Sequence, residues 1–155
     1  MAIDLQIPRV WLVLTNFVVM IKWARAFFIV CLLLRHGVNS ARLQTYLSAS
    51  VMSALSLSFL ELFNAMIGLT RSNTSQVLLF SGVRMGVWAL VAPKIPPDSW
   101  QTLMTVACWS FGDTIRFGCF GMNTLFPGSR LAKDIRYTVA PVLFPIGALG
   151  KSMHV

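Results

Sequence analysis

The sequence predicts an all-α fold: a polytopic membrane helix bundle of about five transmembrane helices, in a single domain that covers residues 1–155. Hydrophobic residues make up 56% of the chain. Charged residues make up 12%, against about 25% in soluble domains. The apolar residues also fall into five long runs separated by short polar breaks. A chain of this length cannot bury so much apolar surface in a water-soluble core, so lipid must cover most of it.

The first two hydrophobic runs, Val10 to Leu34 and Leu47 to Thr70, are each long enough to span a bilayer as a helix. Arg35-His36-Gly37 is predicted to end the first, since glycine suits the position after a helix and cations suit its C-terminus. The second run begins with many small residues, which let membrane helices approach closely, so we expect their face to contact another helix. These residues are Ser48, Ala49, Ser50, Ser53, Ala54, Ser56 and Ser58.

The third and fourth runs are predicted to be helices over Gln76–Ala92 and Trp100–Phe126. A proline-rich break separates them, and Asp98 or Ser99 is a candidate N-cap for the second of the two. The fifth run, Lys133 to Leu149, contains two prolines. A membrane helix tolerates prolines where neighbouring helices satisfy the freed backbone groups.

Charged residues inside the apolar runs are the main candidates for a site. Such charges cost about 2.5–3.5 kcal/mol each on insertion scales, so they are expected to face the bundle interior and to pair. One interpretation is a polar functional site. The other is structural pairing of the two acids with arginines, with an i,i+3 pair within the fourth helix and snorkelling of Lys22. Both interpretations stay open. The residues are Lys22, Arg25, Glu61, Arg84, Asp113 and Arg116.

Aromatic residues near the predicted span ends suggest an interfacial belt formed by Trp11, Trp88 and Trp100. Trp23 and Trp109 lie deeper in their runs and are predicted to be packing residues.

Cysteines and net charge exclude several classes of function. The cysteines at positions 31, 108 and 119 all lie within apolar runs, which favours small core residues over disulfides or metal ligands. The net charge of +8 is scattered between apolar runs. It therefore predicts contact with anionic lipid or acidic membrane proteins rather than nucleic acid. No metal and no cofactor are expected, and a bound phospholipid is compatible with the pattern.

Short motifs occur along the chain in a characteristic order. They are Asn16 with Trp23, Leu60-Glu61-Leu62-Phe63-Asn64, Gly68-Leu69-Thr70-Arg71-Ser72, Arg84, Trp109-Ser110-Phe111-Gly112-Asp113-Thr114-Ile115-Arg116-Phe117, Ile135-Arg136-Tyr137-Thr138, and Phe144-Pro145-Ile146-Gly147 with Lys151. Together they resemble the 3-hydroxyacyl-CoA dehydratase family of fatty-acid elongation, also called protein-tyrosine-phosphatase-like proteins. The resemblance implies the family's six-helix membrane bundle, here without its last helix.

Several positions depart from the family pattern. Lys22 stands where the family has a glycine before the tryptophan, and Asn64 stands where it has a histidine. In the final motif, Phe144 stands where the family has its catalytic tyrosine and Lys151 where it has its catalytic glutamate. A phenylalanine exchanges no proton and a lysine reverses the charge, so the resemblance implies a fold that is kept and a chemistry that is lost.

Three functions therefore compete. The chain is predicted to be a catalytically inactive structural subunit of a larger membrane complex, with the respiratory or ATP-synthase assemblies of the mitochondrial inner membrane favoured. The alternatives are an acyl-lipid-binding protein, or an active very-long-chain dehydratase of the endoplasmic reticulum that uses Glu61 or Asp113. The candidate contacts to lipid or to partner subunits are Lys22, Arg25, Glu61, Asn64, Arg84, Asp113, Arg116, Arg136 and Tyr137.

Overall fold

The computed structural model describes residues 2–37, 41–70, 72–90 and 99–127, together with positions 130, 134, 135 and 138. The ordered elements in these ranges are all helices, which confirms the predicted all-α class. They are α1 (Ala2–His36), α2 (Ala41–Met66), α3 (Thr74–Leu90) and α4 (Trp100–Leu125). Most of the predicted fifth segment, Lys133 to Leu149, lies outside the described residues.

Helix α1 begins earlier than predicted, at Ala2 instead of Val10, and it has 35 residues. Pro8 lies within its second turn, where it removes one backbone hydrogen bond without ending the helix. The predicted end is confirmed. The helix stops at His36, and Gly37 follows with φ +97°, a left-handed conformation that glycine adopts at little cost.

Helices α2 and α3 are shifted relative to the sequence prediction. Helix α2 starts before Leu47 and ends before Thr70, because Gly68, at φ +74°, turns the chain after Met66. Helix α3 starts slightly before Gln76, since the Asn73 side chain accepts a hydrogen bond from the backbone N–H of Ser75 at 3.0 Å and so caps the helix.

Helix α4 begins as predicted, with Ser99 as its N-cap. The Ser99 hydroxyl accepts a hydrogen bond from the backbone N–H of Thr102 at 3.3 Å. At the other end, Arg9 of α1 donates to the backbone carbonyls of Thr124 and Leu125, at 2.9 and 2.7 Å. A cation at this place satisfies carbonyls that the helix leaves free and opposes the negative end of its dipole.

Helix α1 lies at the centre of the arrangement and runs antiparallel to both α2 and α4, while α3 packs on α2. The antiparallel directions follow from pairs of contacts, because Trp11 and Arg9 near the start of α1 reach Asn64 and Thr124 near the ends of α2 and α4, and later residues of α1 reach earlier ones. The Trp23 indole N–H donates to Ser58 Oγ of α2 at 3.2 Å, and the Phe27 ring lies 5.3 Å from that of Phe111 in α4. The apolar core lies mainly between these three helices. Its buried members include Val19, Trp23, Ala26, Val30, Leu33, Val51, Ala54, Leu55, Leu103, Val106 and Phe117.

The small-residue face of α2 is confirmed in part. Ser50, Ala54 and Ser58 recur every four residues, and all three are buried, so this stripe faces the helices packed against α2. Ser48, Ala49 and Ser56 lie on the opposite side and are exposed. Their small size therefore serves no contact among the described residues.

Two predictions about single side chains were wrong. Trp88 was expected in an interfacial belt, but it is only 9% exposed and belongs to the core. It shares the buried face of α3 with Val77 and Ser81, at spacings of four and seven residues. Cys31 was expected in the core but is exposed, because it follows the buried Val30 and points about 100° away from it. Trp23 is fully buried, as predicted.

The outer surface of the bundle is apolar. Helical segments Ile7–His36 and Ala41–Met66 are long and apolar enough to cross a membrane. Helix α4 has 26 residues, the same number as α2. Helix α3 has 17 residues, which is at the short end of the range of about 17–25 residues seen for membrane spans. Large exposed side chains include Ile7, Leu14, Ile21, Phe28, Leu78, Leu79 and Leu90. This surface suits lipid, and the structure is that of a helical membrane protein.

The close approach of α1 and α4 gives a stability prediction. A Cβ added at Gly121 would lie 3.1 Å from the Phe17 ring, whereas one added at Gly82 would meet nothing within 4 Å. We expect Gly121→Ala to be about 1–3 kcal/mol less stable than Gly82→Ala, because only the first overpacks a helix contact. Any change in helix propensity is common to both. Denaturant unfolding in detergent measures the difference, and equal stabilities would contradict the close packing.

Candidate functional site

An ion-pair network occupies the interior of the bundle between α2, α3 and α4. Arg84 Nη1 of α3 donates a hydrogen bond to Asp113 Oδ2 of α4, and Arg116 Nη2 of α4 donates one to Glu61 Oε2 of α2. Arg116 Nη1 also lies 3.8 Å from Asp113 Oδ1, which is the i,i+3 contact predicted from the sequence. The four side chains therefore form one chain of alternating charge that connects three helices.

The network is locally neutral and its acids are the more deeply buried members. Asp113 is only 3% exposed and Glu61 is largely buried, whereas both arginines keep part of their surface exposed. A buried charge without a partner is very costly, so each carboxylate must keep its guanidinium. The structural pairing that the sequence analysis left open is thus present for both acids.

Aromatic rings complete the environment of both guanidinium groups. The Arg84 guanidinium carbon lies 5.5 Å from the Trp109 ring centroid and 5.8 Å from that of Phe80. Arg116 lies 4.8 Å from the Phe117 ring. These distances are within the range of cation–π attraction, which offsets part of the cost of removing the cations from water. Trp109 is therefore a packing residue, as predicted, and also a partner of Arg84.

A second polar cluster surrounds Asn64, which is only 3% exposed. Trp11 Nε1 donates to Asn64 Oδ1 at 2.8 Å, and Asn64 Nδ2 donates to Thr15 Oγ1 at 3.3 Å. The Asn64 carbonyl also accepts the backbone N–H of Leu69 at 2.9 Å. The amide side chain, which both donates and accepts, thus fixes the end of α2 to α1. The backbone carbonyl of the same residue anchors the turn that follows.

Lys22 and Arg25 remain apart from both clusters. Lys22 is half-buried on α1 and Arg25 is exposed. Among the residues that the structure describes, neither forms an ion pair with a carboxylate. The predicted excess of bases over acids within the spans is therefore located on one helix.

The remaining predicted site residues, Arg136, Tyr137, Phe144 and Lys151, lie outside the described residues. The structure brings Glu61 and Asp113 together through Arg116, which their spacing in sequence did not indicate. Sequence reasoning also missed the contact between Arg9 and the end of α4. The one sequence signal of this contact is a basic residue, Arg9, near the start of α1. It becomes informative only once α1 is known to pack antiparallel to α4.

The arrangement has limited capacity for acid–base chemistry. A general base must place a free lone pair within hydrogen-bond reach of the proton that it removes. Both carboxylates instead point at guanidinium groups that cannot be deprotonated. Over the described ranges, no cluster of three His, Cys, Asp or Glu side chains could hold a metal ion.

The fold and these contacts define a class: an all-α membrane protein whose helices are joined by buried ion pairs. A family model described as "Protein tyrosine phosphatase-like protein, PTPLA" matches residues 55–155. The chain belongs to this family, as the resemblance implied. The match includes all four residues of the ion-pair network and leaves α1 outside it.

Two rice proteins from Oryza sativa subsp. japonica are similar to the chain, at 29% identity over 147 residues. They are the very-long-chain (3R)-3-hydroxyacyl-CoA dehydratases PASTICCINO 2A and PASTICCINO 2B. The alignments cover 91% of this chain but 65% of each rice protein, so the chain spans about two thirds of the length of these relatives. No solved structure matches the chain. The protein is thus a dehydratase-like member of its family.

The network predicts unequal effects of neutralising its two acids. Asp113→Asn removes the partner of Arg84 and one partner of Arg116, so we expect it to destabilise the bundle by about 3 kcal/mol or more. Glu61→Gln should cost less, because Arg116 keeps Asp113 nearby. Unfolding in detergent compares the two variants.

A matched double variant separates charge pairing from other effects. Arg84→Gln combined with Asp113→Asn leaves Glu61 and Arg116 as a complete pair and removes the orphaned cation. We expect it to be more stable than Asp113→Asn alone, a clear departure from additivity. Additive losses would show that Arg84 and Asp113 act independently.

Proposed function

We propose that this protein is a catalytically inactive member of the dehydratase family that serves as a structural subunit of a larger membrane complex. The observation that carries the proposal is the pair of substitutions in the final motif. Phe144 replaces a phenol and Lys151 replaces a carboxylic acid at the positions of the family's catalytic residues. Phenylalanine has no exchangeable proton, and lysine carries a positive charge where the family has a carboxyl group, so the family's catalytic pair is absent.

The ion-pair network also supports the proposal, because arginines engage both acids that could replace the family's catalytic pair. An active enzyme without the family's tyrosine and glutamate would need another acid and base inside the bundle. Glu61 and Asp113 are the acids in the described spans, and arginines already engage both. Releasing either acid for catalysis would leave a guanidinium unpaired, at a cost of several kcal/mol.

A role in a complex accounts for the charges that the fold does not pair. Lys22 and Arg25 bring two cations into the middle of an apolar helix without a described carboxylate partner. Such residues in a membrane span are normally satisfied by other helices or mark a functional contact. A partner subunit would supply what this chain lacks.

Family membership supports a location in the endoplasmic reticulum, because the family's dehydratases are found there. The mitochondrial inner membrane, favoured at first for a subunit of a respiratory or ATP-synthase complex, has no support in the described residues. We therefore propose an integral membrane protein of the endoplasmic reticulum. Other membrane proteins and lipids are its proposed partners.

Active very-long-chain 3-hydroxyacyl-CoA dehydratase is the second candidate function. Similarity over 91% of the chain to two rice proteins named as such dehydratases favours it. This function would require residues other than Phe144 and Lys151 to transfer protons. It is distinguished from the first candidate by a direct assay.

We expect the purified protein in lipid vesicles to leave long-chain 3-hydroxyacyl-CoA undehydrated, because its final motif lacks both the tyrosine and the glutamate of the family's catalytic pair. The double variant Phe144→Tyr/Lys151→Glu should gain turnover if the rest of the family site is kept. The two single variants serve as controls, since each still lacks one group. Product formation is followed by mass spectrometry of the enoyl thioester.

Turnover by the unmodified protein that is lost in folded Glu61→Gln or Asp113→Asn variants would overturn the proposal in favour of the second candidate. The subunit role has a separate readout. The native mass after mild detergent extraction should exceed that of the 17.2 kDa chain with its lipid and detergent. A monomer under all extraction conditions would contradict that role.

A further inference from the structure

We propose that Lys22 and Arg25 form a docking site on α1 for a transmembrane helix of a partner protein, and that this helix carries a carboxylate near the middle of its span. The inference rests on the structural-subunit function proposed above and names the surface through which the subunit binds. It follows from the depth of the two cations, from their exposure, and from the positions of the acids that the structure describes.

Both cations lie near the mid-height of the bundle. At one end Arg9 contacts the last residues of α4, and at the other end α1 stops at His36. Between those residues the helix rises about 40 Å, and Lys22 and Arg25 lie roughly 20 Å from each end. The hydrocarbon core of a bilayer is about 30 Å thick. The two side chains therefore lie close to its centre, whereas snorkelling serves residues near helix ends.

Packing contacts place the pair at the level of the buried network. Phe27 of α1 contacts Phe111, and Met20 lies beside Gly118, so Lys22 and Arg25 are level with Asp113 and Arg116 of α4. They nevertheless point elsewhere. Arg25 lies on the exposed face of α1, among large apolar side chains that share its helical stripe, and Lys22 flanks it one turn away. The apolar members of the stripe are Ile7, Leu14, Val18, Ile21 and Phe28.

None of the acidic side chains that the structure describes, Glu61, Asp113 and Asp134, is placed to neutralise this pair. Glu61 and Asp113 are engaged by Arg116 and Arg84 inside the bundle. Asp134 is exposed and forms no ion pair with the residues that the structure describes.

A fourth acid, Asp4, is separated from the pair by helix length. It lies on α1 itself, and the rise from Asp4 to Lys22 is about 27 Å. The described part of the chain therefore offers Lys22 and Arg25 no counter-charge, and a partner would supply it.

A partner helix fits this surface better than a lipid headgroup. Phosphates lie at the edge of the hydrocarbon core, far from the level of Lys22 and Arg25, whereas a carboxylate on a helix can be placed at any depth. The surrounding stripe is apolar, as the contact face of a membrane helix must be.

The test is photo-crosslinking in native membranes from a benzophenone amino acid placed at Phe28, next to Arg25 on the exposed stripe. We expect a protein adduct whose crosslinked span contains a central Asp or Glu. The yield should fall at least about tenfold in Lys22→Gln/Arg25→Gln, since losing one side of a buried charge pair weakens binding by that much or more. Changing the partner's carboxylate to its amide should cause the same loss.

Two control variants accompany the test. Arg35→Gln/Arg42→Gln removes the same charge from exposed positions at helix ends and should leave the adduct unchanged. Lys22→Arg/Arg25→Lys keeps both charges and should keep the adduct, which separates charge pairing from any effect on folding.

Adducts with lipid alone would overturn the inference in favour of a headgroup contact. So would a protein adduct that is insensitive to Lys22 and Arg25, or one whose span has no acid. In those cases a native mass well above that of the monomer would leave the structural-subunit function standing. A monomeric native mass would instead remove that function and the inference with it.

Discussion

The pairing of charge in a medium without water is the constraint on which the rest of this bundle depends. Helix α4 packs mainly on α1, and α3 packs on α2. Helix α1 also packs on α2, and the direct link from α4 to α2 and α3 passes through Arg84 with Asp113 and through Arg116 with Glu61. Such pairs add little stability relative to apolar packing, but breaking one is expensive. They therefore fix which arrangement of the four helices is allowed more than they strengthen it.

Apolar packing accounts for the remaining contacts. Glycines let α4 approach α1 closely, with Phe17 against Gly121. On α2 the stripe of Ser50, Ala54 and Ser58 gives α1 room for the Trp23 indole. Asn64 closes one end of the α1–α2 pair by joining Trp11, Thr15 and the following turn. In lipid, where burial of apolar surface drives association weakly, close fit and satisfied polar groups take over that role.

The same constraint connects structure to function. The four charges that the family model covers are satisfied inside the chain, and the two cations on α1, outside that match, are left without a described partner. The charges inside the bundle are therefore paired within the chain, and the partner proposed for α1 concerns its outer face alone. Phe144 and Lys151 are compatible with the proposed subunit function, because a subunit would need the bundle but not the chemistry of its relatives.

Sequence reasoning recovered the features that depend on local pattern. Composition and the long apolar runs were enough for the all-α membrane class. The end of α1 before Gly37 and the Ser99 cap of α4 are set by residues next to them in the chain, and both were predicted. The shifted starts of α1 and α2 were not. The residues before Val10 and before Leu47 are more polar and are nevertheless helical, so the start of an apolar run does not mark the start of its helix.

The sequence by itself determined the fold class, the family and the residues able to carry charge within the membrane. It also restricted the partners of those charges, since two acids cannot satisfy four bases. Tertiary structure alone decided the pairing. Arg84 pairs with Asp113 and Arg116 pairs with Glu61, whereas Lys22 and Arg25 lie outside this network. The tertiary structure also turned Trp88 inward and Cys31 outward. The reason is that helix rotation and register depend on contacts between residues distant in sequence, which no local pattern records.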